Sequence, residues 1–360
     1  MIKYIAGLFF VLLLQMSYNV YAGAPKEALK LYKANNPNVQ YVGRVDFANP
    51  LKPRMWSPGV YIKFRYEGKK CELLINDEVL YGKSHNYLEI AIDNNTPYRV
   101  QTTGKANVIT IGEELADGEH TVVICKDTES QIGYIDFVGV RCAKLLPPPA
   151  QPARKIEYIG DSITSGAGMD QSITPCGKGE WYDQHNAYMS YGPRTSRNLN
   201  AQWQLTSVAG IGMAHSCCNM NITMPLVFDK IFLRNDSIAW NFKHYQPDVV
   251  TVCLGQNDAL GDSTRYCDIY TKFIKTVRQK YPAADIVCLS SPMADEKLSA
   301  ALQNYLTAIT AEVNNSGDKK VYKYFFSRRY YQGCGTHPDM KEHEFIADEL
   351  TSYLKQLKGW

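Results

Sequence analysis

Leu145-Leu-Pro-Pro-Pro-Ala-Gln-Pro-Ala-Arg154, followed at once by Lys155-Ile-Glu-Tyr-Ile-Gly-Asp-Ser-Ile-Thr164, divides the 360-residue chain into two parts of different character. Proline lacks an N–H and fixes φ, so Pro147, Pro148, Pro149 and Pro152 oppose both helix and central strand. The stretch 145–154 therefore reads as a semi-rigid linker. Upstream of it, Val39 to Cys142 reads as strand after strand: Tyr61–Tyr66, Cys71–Ile75, Tyr87–Ile92, Val108–Ile111 and Thr121–Cys125 are rich in β-branched and aromatic residues. Several alternate apolar with polar side chains, as half-buried strands do. Glu67-Gly68, Asp93-Asn94-Asn95 and Asp117-Gly118 supply turn formers between them. After a short helical lead, Lys26 to Lys33, this predicts about eight short strands in a β-sandwich of jelly-roll type over residues 23–144.

Beyond the linker the period changes. Apolar strands at Ile156–Ile159, Val249–Leu254 and Ile286–Leu289 alternate with helical stretches at Tyr266–Lys280, Asp295–Glu312 and His343–Leu357. A βαβα order implies a parallel sheet covered by helices, here over residues 155–360. Ligands in such sheets sit beyond the carboxyl ends of the strands.

Composition narrows the function. A formal charge of +3 without a Lys/Arg-rich run disfavours nucleic acid and anionic membrane as partners. Lys3, the apolar run Ile5–Leu14 and the small-residue ending Val20-Tyr21-Ala22 read as a signal peptide over 1–22. That run is too short for a membrane span, so export to a periplasm or the medium is expected, without a membrane anchor after cleavage. Ten cysteines in an exported chain permit disulfides whose pairing the spacing does not give. Adjacent Cys217 and Cys218 are expected not to bond to each other. No CxxC pair occurs, and neither a metal nor a cofactor is called for.

Four segments carry candidate chemistry. Gly160-Asp161-Ser162-Ile163-Thr164 follows a strand directly, so a tight strand-to-helix turn can expose Ser162 as a nucleophile with its own N–H free to bind an oxyanion. The G-x-S-x-G elbow is absent, which weakens an α/β-hydrolase reading; the plain alternative is that Asp161-Ser162 caps a helix. Ala209-Gly210-Ile211-Gly212 follows the strand-like Trp203–Val208, and Gly210 can bring a second backbone N–H close to substrate. Gly255-Gln256-Asn257-Asp258 ends the strand Val249–Leu254, and the Asn257 amide can be a third donor. Gly333-Cys334-Gly335-Thr336-His337-Pro338 precedes the last helix, and His337 is the candidate general base. His343 is expected to be structural, while His185, His215 and His244 remain other choices.

In this order, Ser162, Gly210, Asn257 and His337 resemble the SGNH (GDSL) hydrolase superfamily, and within it carbohydrate esterase family 2. The likeness includes Trp240-Asn241-Phe242, Tyr245 to Val250, Gly43-Arg44, Trp56-Ser57-Pro58-Gly59, Lys126-Asp127-Thr128-Glu129 and Phe137-Val138-Gly139. It implies a jelly roll followed by an α/β/α domain, and removal of acetyl groups from polysaccharide of the xylan or glucomannan type. Most members of the superfamily carry Asp three residues before the catalytic His, and here that position is Cys334. The resemblance therefore implies a Ser162–His337 dyad with a backbone carbonyl holding the imidazole; Asp339 or Asp258 as the orienting acid is the alternative. Gln256 also stands where Thr is common.

Sugar rings suit aromatic faces, so Trp181, Tyr182 and Tyr188 are the candidate substrate contacts. Packing of these rings over the sheet is the competing expectation. Two other functions stay open: a glycan-binding protein without catalysis, and an esterase acting on another acyl ester such as O-acetylated peptidoglycan, host glycan or lipid.

Overall fold

The computed structural model describes residues 29–112, 115–233, 238–258 and 261–360, so the leader at 1–22 lies outside the described residues. The first part contains strands β1 (Lys30–Lys33), β2 (Gln40–Val42), β3 (Val45–Asp46), β4 (Arg54–Met55) and β5 (Tyr61–Asp77). These are followed by β6 (Tyr87–Ile92), β7 (Tyr98–Gln101), β8 (Ala106–Ile111), β9 (Glu119–Lys126) and β10 (Ile135–Leu146). All their pairings are antiparallel, along the path β3-β4-β10-β5-β9-β6-β7, with β1 on β10 and both β2 and β8 on β5.

Two expectations are corrected here. Lys30–Lys33 is a strand, because β10 supplies it with a ladder partner from Gly139 to Cys142; the rest of the expected helical lead, Lys26 to residue 28, lies outside the described residues. Glu67-Gly68 does not reverse the chain. Residues Tyr61–Glu67 pair with β9 and Cys71–Asn76 with β8, so one 17-residue strand runs on through Glu67-Gly68 and changes partner there. The register against β10 shifts at this point, a bulge that bends a strand rather than ending it.

The second part builds on β11 (Arg154–Gly160), β12 (Ala201–Ser207), β13 (Val249–Cys253), β14 (Asp285–Leu289) and β15 (Val321–Tyr324). They form a parallel sheet in the order β12-β11-β13-β14-β15. Around it lie α1 (Ser162–Ser165), α2 (Tyr191–Asn198), α3 (Met224–Val227), α4 (Ser263–Lys280), α5 (Glu296–Asn315) and α6 (Met340–Lys358). Helix α2 packs with α6 and α4 with α5. Strands β12, β13 and β14 are buried along their whole length; β13 and β14 accordingly read as nearly continuous apolar runs, while β12 carries the buried polar side chains of Gln202, Gln204, Thr206 and Ser207. Gly160 stands level with Ser207 on one side and Cys253 on the other, so the chain leaves β11, β12 and β13 at the same edge of the sheet.

The two parts share a core. Val42, Trp56, Tyr61, Ala91 and Cys125 of the β-sandwich belong to the same apolar cluster as Tyr158, Trp203 and Leu205 of the parallel sheet. The indole of Trp203 donates to the Gly59 carbonyl at 2.9 Å, which gives the Trp56-Ser57-Pro58-Gly59 motif its place. Arg44 is wholly buried across the same junction. Its guanidinium donates to Glu157 at 3.1 Å and to the carbonyls of Phe228 and Lys230 at 2.6 Å each. Removing one partner of a buried pair leaves the other charge uncompensated, at a cost of about 3–5 kcal/mol. Arg44→Ala is therefore expected to lose that much stability in chemical denaturation, with Glu157 stranded on β11. A loss within about 0.5 kcal/mol, the range of ordinary surface changes, would contradict it.

Candidate active site

Ser162 is the first residue of α1, two residues beyond the end of β11, and only 7% exposed. Asp161 caps this short helix, its carboxylate accepting the Ile163 N–H at 3.1 Å. Burial pushes the Asp161 carboxyl up to about 7, against the lowering effect of that N–H. Capping and presentation of the hydroxyl to the base thus coexist: Asp161 holds the turn, and Ser162 Oγ lies 2.9 Å from His337 Nε2. The other ring nitrogen, His337 Nδ1, lies 3.1 Å from the Cys334 carbonyl oxygen.

The loop that carries His337 is tied down twice. Cys334 is joined to Cys176 by a disulfide, so the side chain at the position of the usual carboxylate is spent on a crosslink while its carbonyl faces the imidazole. Its N–H also donates to the Gly168 carbonyl at 2.8 Å. Gly168 has φ +68°, and a Cβ there would stand 2.6 Å from the Cys334 oxygen, so only glycine admits this approach. The two alternative acids are engaged elsewhere. Asp258 accepts the N–H groups of Met213, Ala214 and His215, and Asp339 caps α6 by accepting from Glu342 N at 2.8 Å. Burial draws the pKa of His337 down; the Cys334 carbonyl counters this in part, and the nearby His185 lowers it further.

Gly210 and Asn257 line the same cleft as Ser162. Gly210 has φ +82°, and a Cβ there would meet Cys217 Sγ at 2.7 Å, which explains glycine at this position. Among the described residues nothing accepts the N–H of Gly210 or of Ser162. Asn257 Nδ2 lies 3.0 Å from the Ile211 carbonyl and 3.3 Å from Asp161 Oδ2. Gln256 accepts from the Ser291 hydroxyl at 2.6 Å, which accommodates it in place of threonine.

These groups line one cleft of about 600 Å³, together with Trp181, His185, Met220 and Met293. Trp181 is 52% exposed and stands edge-on to His185 at 5.0 Å. Tyr182 and Tyr188 correct the expected set of sugar contacts. They are 4% and 6% exposed. Tyr182 packs with Tyr87 and Ile132 at the junction of the two parts, and Tyr188 packs edge-on against Trp203. The expectation for Cys217 and Cys218 is also corrected: the two are bonded, with Cys218 at φ +63°, and the pair forms part of the cleft wall beside Gly210. His343 is fully buried on α6, where its Nδ1 accepts the Tyr191 N–H at 3.1 Å. Sequence reading missed Glu129 and Gln131, which reach the site from the β-sandwich, because contact across a domain junction leaves no periodic signal.

Comparison with known proteins agrees with this architecture. Residues 41–149 match the carbohydrate esterase 2 N-terminal family, and residues 158–319 match the GDSL-like lipase/acylhydrolase family. The cellulase/esterase CelE of Acetivibrio thermocellus is 32% identical over 343 residues, 91% of this chain and 40% of CelE. The chain thus spans less than half the length of that relative. An acetylxylan esterase/glucomannan deacetylase of Cellvibrio japonicus is 26% identical over 365 residues, 98% of this chain and 99% of its own. A family two carbohydrate esterase from Clostridium thermocellum, solved in complex with cellohexaose, superposes with a TM-score of 0.81 at 29% identity. That match covers 89% of this chain and 99% of the other. With the family-2 N-terminal domain and the GDSL-like domain in series, the chain belongs to carbohydrate esterase family 2 of the SGNH hydrolases.

Proposed function

We propose that this protein is a serine esterase that removes O-acetyl groups from a polysaccharide of the xylan or glucomannan type, through a Ser162–His337 dyad. The observation that carries the reading is the 2.9 Å contact between Ser162 Oγ and His337 Nε2, with the imidazole backed by the Cys334 carbonyl and, among the described residues, by no carboxylate. His337 takes the Ser162 proton as Oγ attacks the acetyl carbonyl. The tetrahedral oxyanion is met by the N–H groups of Ser162 and Gly210 and by the Asn257 amide. Collapse returns the proton to the leaving sugar oxygen and leaves an acetyl ester on Ser162. Water, deprotonated by the same imidazole, then releases acetate. Trp181 offers a half-exposed ring face to a sugar unit at the mouth of the cleft.

The division into a leader at 1–22, a β-sandwich, a linker and a catalytic domain is part of this proposal, as is export. The expected linker bounds of 145 and 154 are corrected to 147–153, because β10 runs to Leu146 and β11 begins at Arg154. Among the described residues no helix is long and apolar enough to cross a membrane. Acetate release from acetylated xylan, acetylated glucomannan and an aryl acetate tests the reaction and ranks the substrates. No release from any of them by folded protein would overturn the proposal in favour of glycan binding without catalysis.

A dyad of this kind has a characteristic pH profile. Neutral imidazole is the active base, and burial holds its pKa below the ordinary value of about 6.5. The competent fraction should therefore remain high as pH falls through that value and decline only below it. The acidic limb of kcat/KM for an aryl acetate is expected below pH ~6.5. A limb at or above that pH would contradict the environment assigned to His337.

A further inference from the structure

We infer that Glu129 and Gln131 of the β-sandwich are positioning residues for catalysis, clamping the peptide whose N–H binds the oxyanion. The inference rests on the reading of Gly210 as an oxyanion donor. The Ala209 carbonyl and the Gly210 N–H are opposite ends of one planar peptide unit, so fixing the carbonyl fixes the direction of the N–H. Gln131 Nε2 donates to that carbonyl at 3.2 Å. One unit earlier, the Ala209 N–H donates to Glu129 Oε2. One unit later, the Gly210 carbonyl accepts from Cys217 N–H at 2.9 Å. Three successive peptide units around the donor are thus held, two of them by side chains from the other domain.

The clamp is itself anchored. Glu129 is wholly buried, and its second oxygen, which makes no hydrogen bond among the described residues, has His185 Nε2 beside it at 3.2 Å. Lys126 Nζ reaches the Glu129 carbonyl at 3.3 Å. Ile132 N–H closes a turn onto the same carbonyl at 3.1 Å, and the Ile132 side chain packs with Tyr87 and Tyr182. Gly210 at φ +82° has no side chain of its own to lock the turn, which leaves its orientation to these neighbours. The β-sandwich therefore does more than cover the catalytic domain: it completes the oxyanion hole.

The test uses the full chain and two readouts. Gln131→Met keeps the reach and removes the donor, and Gln131→Glu sets an acceptor against the Ala209 oxygen. Both are expected to lower kcat for an aryl acetate by about tenfold to hundredfold with KM within about twofold, since misplacement near a reacting centre can cost that much. Hydrogen exchange over residues 208–212 should accelerate in both variants, while the remainder of the sheet is unchanged. Trp203→Phe removes the 2.9 Å junction bond to the Gly59 carbonyl, away from the cleft and the clamp, and should lower the melting temperature at unchanged kcat. Exchange and kcat both as in wild type in the Gln131 variants would overturn the clamp, as would a matching kcat loss in Trp203→Phe. Wild-type protein inert towards acetyl esters would overturn the proposed function instead, and exchange over 208–212 would then decide the clamp alone.

Discussion

Replacing His337 by alanine is expected to lower acetyl-ester turnover by about 10⁶-fold, and adding Ser162→Ala should lower it hardly further. A serine hydroxyl is a weak nucleophile until a base takes its proton, and the contact at 2.9 Å makes His337 that base. The two residues act as one unit, so the loss of either removes the whole nucleophilic pathway and their effects do not add. What survives should be the modest catalysis given by binding and the oxyanion donors. Steady-state kinetics with an aryl acetate, on variants shown to be folded by circular dichroism, measures this. A double variant a further thousandfold slower than either single one would mean that the residues act independently.

Asn257→Ala should cost about 10²–10³-fold in kcat, equivalent to about 2.7–4 kcal/mol of transition-state stabilisation, with KM little changed. The effect is confined to kcat because the negative charge on oxygen exists in the tetrahedral state and not in the bound ester. In the free protein the Asn257 amide lies close to the Ile211 carbonyl and, at a longer 3.3 Å, to Asp161. The longer contact is the one the oxyanion would replace. Turnover close to wild type would remove Asn257 from the oxyanion hole.

Much of the catalytic part was legible because its signals are local. A parallel sheet buried on both faces writes largely apolar strands, and loops that can carry function follow strand ends. The segments holding Ser162, Gly210 and Asn257 could therefore be placed at strand ends, while the choice of these residues within them leaned on the resemblance to the SGNH hydrolases. Asp295 and Asp339 prove to be helix caps, which conforms to their residue type. The absent carboxylate was also visible, as Cys334, but its reason was not: the pairing of Cys176 with Cys334 closes a loop that no spacing rule reports. The β-sandwich was readable as a class and not in detail. Glu67-Gly68 has turn composition, yet the strand continues because β8 and β9 supply partners on both sides of it. Tyr182 and Tyr188 are aromatic residues near the site whose fate is decided by the domain junction. Arg44, Glu129 and Gln131 gain their partners only when the domains dock, and a single sequence carries no record of that contact.

The central claim is an acetyl-enzyme on Ser162, and rapid-quench mass spectrometry during turnover of an aryl acetate tests it most directly. An acetyl group is expected on the peptide containing Ser162, formed in a burst and absent in Ser162→Ala, whose acetate release should fall by about 10⁶-fold. Acetate release at the wild-type rate by Ser162→Ala, or an acetyl group carried on any other residue, would contradict it.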